Sequence, residues 1–183
     1  MTEDEAISQL QIILAGALYH ESAHAAIAVG VGRKIESFTF SAAVGDPHLI
    51  AKATIHLPRE LEPSKPLIDD PRIRTIVEDQ LCIYLVASLA EEKYHRIQNT
   101  GFRRDPVGAS IDDEQARAMA ERLVGRGRVD ALIAQMRMRA QSLVDNEQIW
   151  QRIDELARAA LLKWQAKEYV IGGSEVERIC KGG

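Results

Sequence analysis

The chain lacks what would make it a disulfide scaffold, a nucleic-acid binder or a nucleotide-driven machine. Only two cysteines, Cys82 and Cys180, occur in 183 residues, and they match no Cys-x-x-Cys metal or redox spacing. A reduced intracellular compartment is the simplest setting for such a pair, so a cytoplasmic location is expected, with a Cys82 to Cys180 disulfide as the alternative. Basic charge is not in excess: 23 Lys and Arg against 27 Asp and Glu leave a net charge of -4. Aromatics make up 5% of the chain and are nowhere interleaved with a Lys/Arg block, so nucleic acid is not an expected partner. The first residues, Thr2-Glu3-Asp4-Glu5, are acidic where a secretory signal is basic. The apolar run behind them is interrupted by Tyr19-His20-Glu21-Ser22 and His24, so neither a signal peptide nor a membrane span is expected. Internal repeats, low-complexity tracts and a Gly-x-x-x-x-Gly-Lys-[Ser/Thr] phosphate loop are absent from the sequence.

What is present is a His-Glu-x-x-His run, His20, Glu21 and His24, inside a long apolar stretch. At a helical pitch the two imidazoles lie one turn apart on one face and can reach a single metal, with Glu21 beside them to hold a water. With 5 His in the chain, a chance match is expected on the order of one time in a hundred. The flanks, Ile12 to Leu18 and Ala25 to Val29, read as a buried helix. Unpartnered polar groups are costly there, and a metal supplies the partner. The bland alternative is a pair of hydrogen-bonded core histidines beside an ion-paired glutamate.

The pattern of elements is mainly helical with a small β component, an α+β fold on a single domain spanning residues 1–183. Within it, 1–127 form the metal-site core and 128–183 a C-terminal helical part. Thr2 with Glu5 fits a capping box, and apolar periodicity predicts a first helix from about 3 to 29, ended by Gly30 and Gly32. Residues 34–41 and 49–57 alternate as strands around Gly45-Asp46-Pro47, and Pro58, Pro63 and Pro66 make a loop. Asp70-Pro71 starts a second long helix reaching about 98, closed by Asn99-Thr100-Gly101. Acids at Asp112, Asp113 and Glu114 open a third helix, to about Val124. Residues 128–144 and 147–167 form two more, and Gly172-Gly173-Ser174 precedes a last one, Glu175 to Cys180.

A catalytic zinc ordinarily has three protein ligands and an open position. No third histidine follows in the short spacing of the metzincins, and His48, His56 and His95 read as structural or surface residues. Five carboxylates remain as candidates: Glu91, Glu92, Asp112, Asp113 and Glu114. Acids in a first helical turn also satisfy free N–H groups without any metal. Glu91 is suited to orient a ligand histidine through its other ring nitrogen, and an exposed or ion-paired Glu91 is the alternative.

Several segments resemble, in order, the peptidase domain of the FtsH-type ATP-dependent zinc proteases. Tyr19-His20-Glu21-Ser22-Ala23-His24-Ala25 is similar to that family's HEAGHA segment. Leu89-Ala90-Glu91-Glu92 is similar to the end of its GGRAAEE helix, and Gly108-Ala109-Ser110-Ile111-Asp112 to its GASND turn. Leu143-Val144 with Asn146, then Leu156-Ala157-Ala160-Leu161, then Ile171-Gly172-Gly173-Ser174-Glu175-Val176, look like its closing helices. Ala23 stands for the family's Gly, Val86-Ala87-Ser88 for Gly-Gly-Arg and Ile111 for Asn, none of them a ligand or the base.

The resemblance implies a zinc metalloendopeptidase of the HExxH type acting on peptides or unfolded proteins. Zn2+ would be held by His20, His24 and Asp112, with Glu21 as general base. It also implies an edge strand near 49–57 that aligns the substrate; a further alternative is an enzyme that works only with a separate ATPase as partner, or only as a homo-oligomer, a ring like the family's. A non-enzymatic peptidase-like domain that binds a peptide or partner is the competing reading.

Overall fold

The computed structural model describes residues 3–40, 51–62, 67, 70–101 and 110–182, with the side chains of 3–10 and Ser110 outside that description. Six helices and a small antiparallel sheet make up the described residues: α1 (Glu3–Gly30), β1 (Ile35–Phe40), β2 (Ala51–Ile55), α2 (Pro71–Gln98), α3 (Ser110–Val124), α4 (Val129–Asp145), α5 (Glu147–Gln165), β3 (Val170–Gly172) and α6 (Gly173–Lys181). The mainly α, α+β class expected from the periodicity is the class observed. The Thr2–Glu5 capping box, the Gly45-Asp46-Pro47 turn, His48, Pro63, Pro66 and Gly108-Ala109 lie outside the described residues.

α1 is the axis of the molecule. Its stretch from Leu14 to Val29 is apolar almost all round, and it packs against α2, α5, α6 and the sheet. Ala23, Ala25, Ala26 and Ala28 are buried on it, and such small side chains let neighbouring backbones come close. The helix stops because Gly32 takes φ +77°. That turn sends the Arg33 N–H to Ala28 O at 2.8 Å and the Gly32 N–H to Val29 O at 3.0 Å, a Schellman closure. Gln11–Gly30 is long and apolar enough to cross a membrane by length and composition, and 67% of it is buried inside the fold.

α2 runs beside α1. Asp70 accepts from the Arg72 N–H at 2.7 Å, Pro71 fills the first turn, and Asn99 in the left-handed region (φ 47°) closes the far end. Between α4 and α5 only Asn146 intervenes, its side chain capping α5 by accepting from Ile149 N–H at 3.1 Å. One continuous apolar core joins all six helices and the sheet, from Leu18 and Phe38 to Leu81, Ala116, Met136, Ile153, Ile171 and Val176. Residues 128–182 therefore share their core with the part that carries the His-Glu-x-x-His run.

The sheet has one strand more than the two expected. Its order is β2-β1-β3, with β1 antiparallel to both neighbours. β3 pairs Ile171 with Phe38, and the chain turns straight into α6. Gly173 permits that turn, because a Cβ there would stand 1.9 Å from Ile35 O. α6 accordingly begins at Gly173, two residues before the expected Glu175. Among the described residues β2 is an edge strand, and the Ala53 N–H on its outer side meets Glu21 of α1.

Candidate metal centre

His20, Glu21 and His24 occupy the middle of α1, where the i, i+4 spacing stacks the two rings with centroids 5.0 Å apart. The third group comes from 88 positions further on. Asp112 lies in the first turn of α3, and its Oδ2 is 3.0 Å from His20 Nε2 and 3.3 Å from His24 Nε2. One ligand atom from each of the three residues falls within 4.8 Å of the others, a group that could hold a metal ion. The rivals fall elsewhere. Asp113 receives two bonds from Arg137 at 2.7 Å, Glu114 is exposed, and neither Glu92 nor Glu114 joins the cluster.

The other nitrogen of each ring is already committed. His24 Nδ1 lies 2.6 Å from Ile83 O, and His20 Nδ1 lies 3.3 Å from Glu91 Oε2. Both acceptors fix the Nδ1–H tautomer and turn the Nε2 lone pairs inward. Glu91 thus sits where a positioning carboxylate is expected, behind the ring and not in the cluster. His95 extends the arrangement: its Nε2 is 4.0 Å from Glu91 Oε1 and its Nδ1 is 3.0 Å from Thr100 Oγ1. Of the structural or surface role expected for His95, its burial fits the structural one and excludes the surface one. Gly16 on α1 makes room for it, since a Cβ there would meet His95 Nε2 at 2.6 Å.

Electrostatics follow from this geometry. Burial pushes the His20 pKa down, but the carboxylates of Asp112 and Glu91 outweigh it and raise it to about 9. The Asp112 carboxyl goes the other way: burial opposes its ionisation, and hydrogen bonds from His20 and His24 hold it far below the usual carboxylate range. The pair is a positive charge clasped by an anion, the arrangement a buried donor set adopts when protons fill it. His95 is shifted down, chiefly by burial and against the pull of Glu91.

Glu21 points into a groove of about 430 Å3 bounded by β2 on one side and by α2 and α3 on the other. His24, Asp112, Ala53, Gln80, Tyr84 and Gln115 line it. Glu21 Oε2 accepts a 2.8 Å hydrogen bond from the Ala53 N–H of β2. The hydroxyl of Tyr84 is raised in pKa mainly by burial, with a bond from Gln80 pulling the other way. The sequence reading takes Tyr84 as part of the helical period of α2 and does not single out Gln80, although one signal is there. Gln80, Tyr84 and Glu91 stand at i, i+4 and i+11, polar groups on the stripe of α2 that the helical period otherwise fills with apolar side chains. Ile83 O and the Ala53 N–H carry no side-chain signal at all. No family model matches this chain, and no curated protein matches it.

Proposed function

We propose that the chain is a zinc metallopeptidase that hydrolyses peptide bonds in extended or unfolded polypeptides. The observation that carries this reading is the convergence of two imidazole Nε2 atoms and one carboxylate oxygen, with both Nδ1 atoms held from behind. Nitrogen and oxygen donors in this ratio suit zinc and leave a fourth position open. Donor atoms bonded to zinc at about 2.0–2.1 Å in a tetrahedron stand roughly 3.3 Å apart, and Asp112 Oδ2 lies 3.0 and 3.3 Å from the two nitrogens. The resemblance of the His20, Glu91 and Asp112 segments to FtsH-type peptidase domains supports the same assignment.

His20, His24 and Asp112 would hold the zinc, which would supply a Lewis acid for polarising a water and the scissile carbonyl. The chain's own residues do the rest. Glu21 takes a proton from the attacking water and returns it to the leaving amine. β2, with its outer edge on the groove, aligns an extended peptide by main-chain pairing, which favours little sequence selectivity. The 183 residues contain no phosphate loop, so an ATPase that delivers unfolded substrates would lie outside them.

Zinc analysis together with cleavage of an unfolded protein such as casein tests the reading on wild type and Glu21→Gln. Both bind zinc, and the variant cleaves about 10²–10⁴-fold more slowly, the span of one general base. A wild type that binds zinc yet cleaves nothing the variant spares overturns it.

A further inference from the structure

The hydrogen bond between Glu21 and β2 joins two parts that the peptidase reading needs separately. Ala53 is in register with Phe38 of β1. Since its N–H goes to Glu21 Oε2 at 2.8 Å, it points away from β1. In an antiparallel ladder a residue directs its N–H and C=O to the same side. Ala53 therefore offers both groups on the free edge, inside the groove. A strand laid along that edge pairs with these two groups, its carbonyl taking the Ala53 N–H. That N–H has one hydrogen, and the Glu21 carboxylate occupies it.

We propose that the Ala53 main-chain N–H holds Glu21 in the substrate-free protein, and that an extended polypeptide docking on β2 takes over this N–H and releases Glu21 toward the reacting water. Ala53 is then a positioning residue acting through its backbone, and strand docking is coupled to freeing the base. In the empty groove one carboxylate oxygen is tied to an amide, at the short distance typical of charge-assisted bonds. In the occupied groove the peptide carbonyl satisfies that amide, and no buried donor is left unpaired. A short peptide that fails to reach Ala53 leaves the base parked, and this links turnover to the length of strand engaged. The inference rests on the edge-strand reading given above.

Two measurements separate its failure from that of the peptidase assignment. Amide hydrogen exchange at Ala53, followed without substrate, is slow in wild type and at least tenfold faster in Glu21→Ala, while neighbouring amides of β2 that pair with β1 keep their rates. Binding of a terminally blocked, fluorescein-labelled peptide with uncharged side chains rich in Val and Thr is compared between zinc-loaded Glu21→Ala and Glu21→Gln, both slowed enough by loss of the base that binding is read before cleavage accumulates. The glutamine still competes for the N–H and the alanine does not, so Glu21→Ala binds roughly three- to tenfold tighter, the worth of one net hydrogen bond. Should Glu21→Ala prove poorly folded, Glu21→Leu serves the same comparison. Exchange at Ala53 that ignores Glu21 overturns the tether and leaves the peptidase assignment standing. A tether with equal affinities in the two variants overturns the competition. Peptide binding by neither variant overturns both the competition and the peptide-substrate reading.

Discussion

Two neighbouring residues of α1, Tyr19 and His20, open onto two polar clusters that are built in opposite ways. On the Tyr19 side the Tyr19 hydroxyl, the Asp154 carboxylate and the Lys93 ammonium are all answered within the protein. Tyr19 stacks on Tyr94 and Trp150 with ring centroids 4.3 and 5.5 Å away and donates its hydroxyl to Asp154, which also accepts from Arg158 at 2.7 Å. Lys93 lies 4.4 Å from the Trp150 ring centre and donates to Val144 O at 2.7 Å. On the His20 side Glu91 and the Ile83 carbonyl partner the two rings from behind. In front, two nitrogens and a carboxylate oxygen face each other across 3.0–3.3 Å. Three acceptors turned on one another repel unless a cation stands among them, whether protons or a metal. Burial alone does not make a site; a donor set that satisfies itself is architecture, and one that needs an outside ion is an address.

That contrast can be broken experimentally, and the largest effect is expected where the front of the cluster is removed. Asp112→Ala should reduce zinc content to near zero at equimolar metal and abolish cleavage, with the far-ultraviolet circular dichroism of the helices unchanged; full zinc retention would show that another group is the third ligand. Glu91→Gln acts from behind the ring. Metal affinity, measured by competition with a chromogenic chelator, should fall about 10–100-fold, the usual cost of losing a partner of a ligand histidine. Tyr19→Phe belongs to the other cluster and should sharpen the comparison. It is expected to cost about 1 kcal/mol in urea unfolding, the net value of one hydrogen bond, and to leave zinc affinity where it was. A Tyr19 variant that lowered zinc affinity as much as Glu91→Gln would join the two clusters into one unit.

Much of this was legible from local rules. The His20, Glu21 and His24 spacing sets three side chains on one turn whatever surrounds them, and caps such as Asp70, Asn99 and Gly32 act within a few residues of themselves. Asp112 is different. Nothing local distinguishes it from Asp113 one residue on; only the resemblance singled it out, and the fold turns Asp113 toward Arg137. β3 was invisible because three residues have no meaningful period, and their partner Phe38 lies more than 130 positions earlier. Ile83 O and the Ala53 N–H are backbone groups, recruited by position alone. α1 hid something too. A helix apolar on nearly every side does not announce which face will meet α2, so the alignment of Glu91 behind His20 emerges only from packing.

Gly16 illustrates what that packing demands of anyone redesigning the protein. Replacing a glycine inside a helix with alanine is a standard stabilising choice, since it limits the unfolded chain and improves helix propensity by up to about 1 kcal/mol. At this position the added methyl would arrive 2.6 Å from the His95 ring and 3.5 Å from Glu91 Oε1. The substitution that a propensity scale recommends would push the His95 ring aside at the point where Glu91 of one long helix braces His20 of the other.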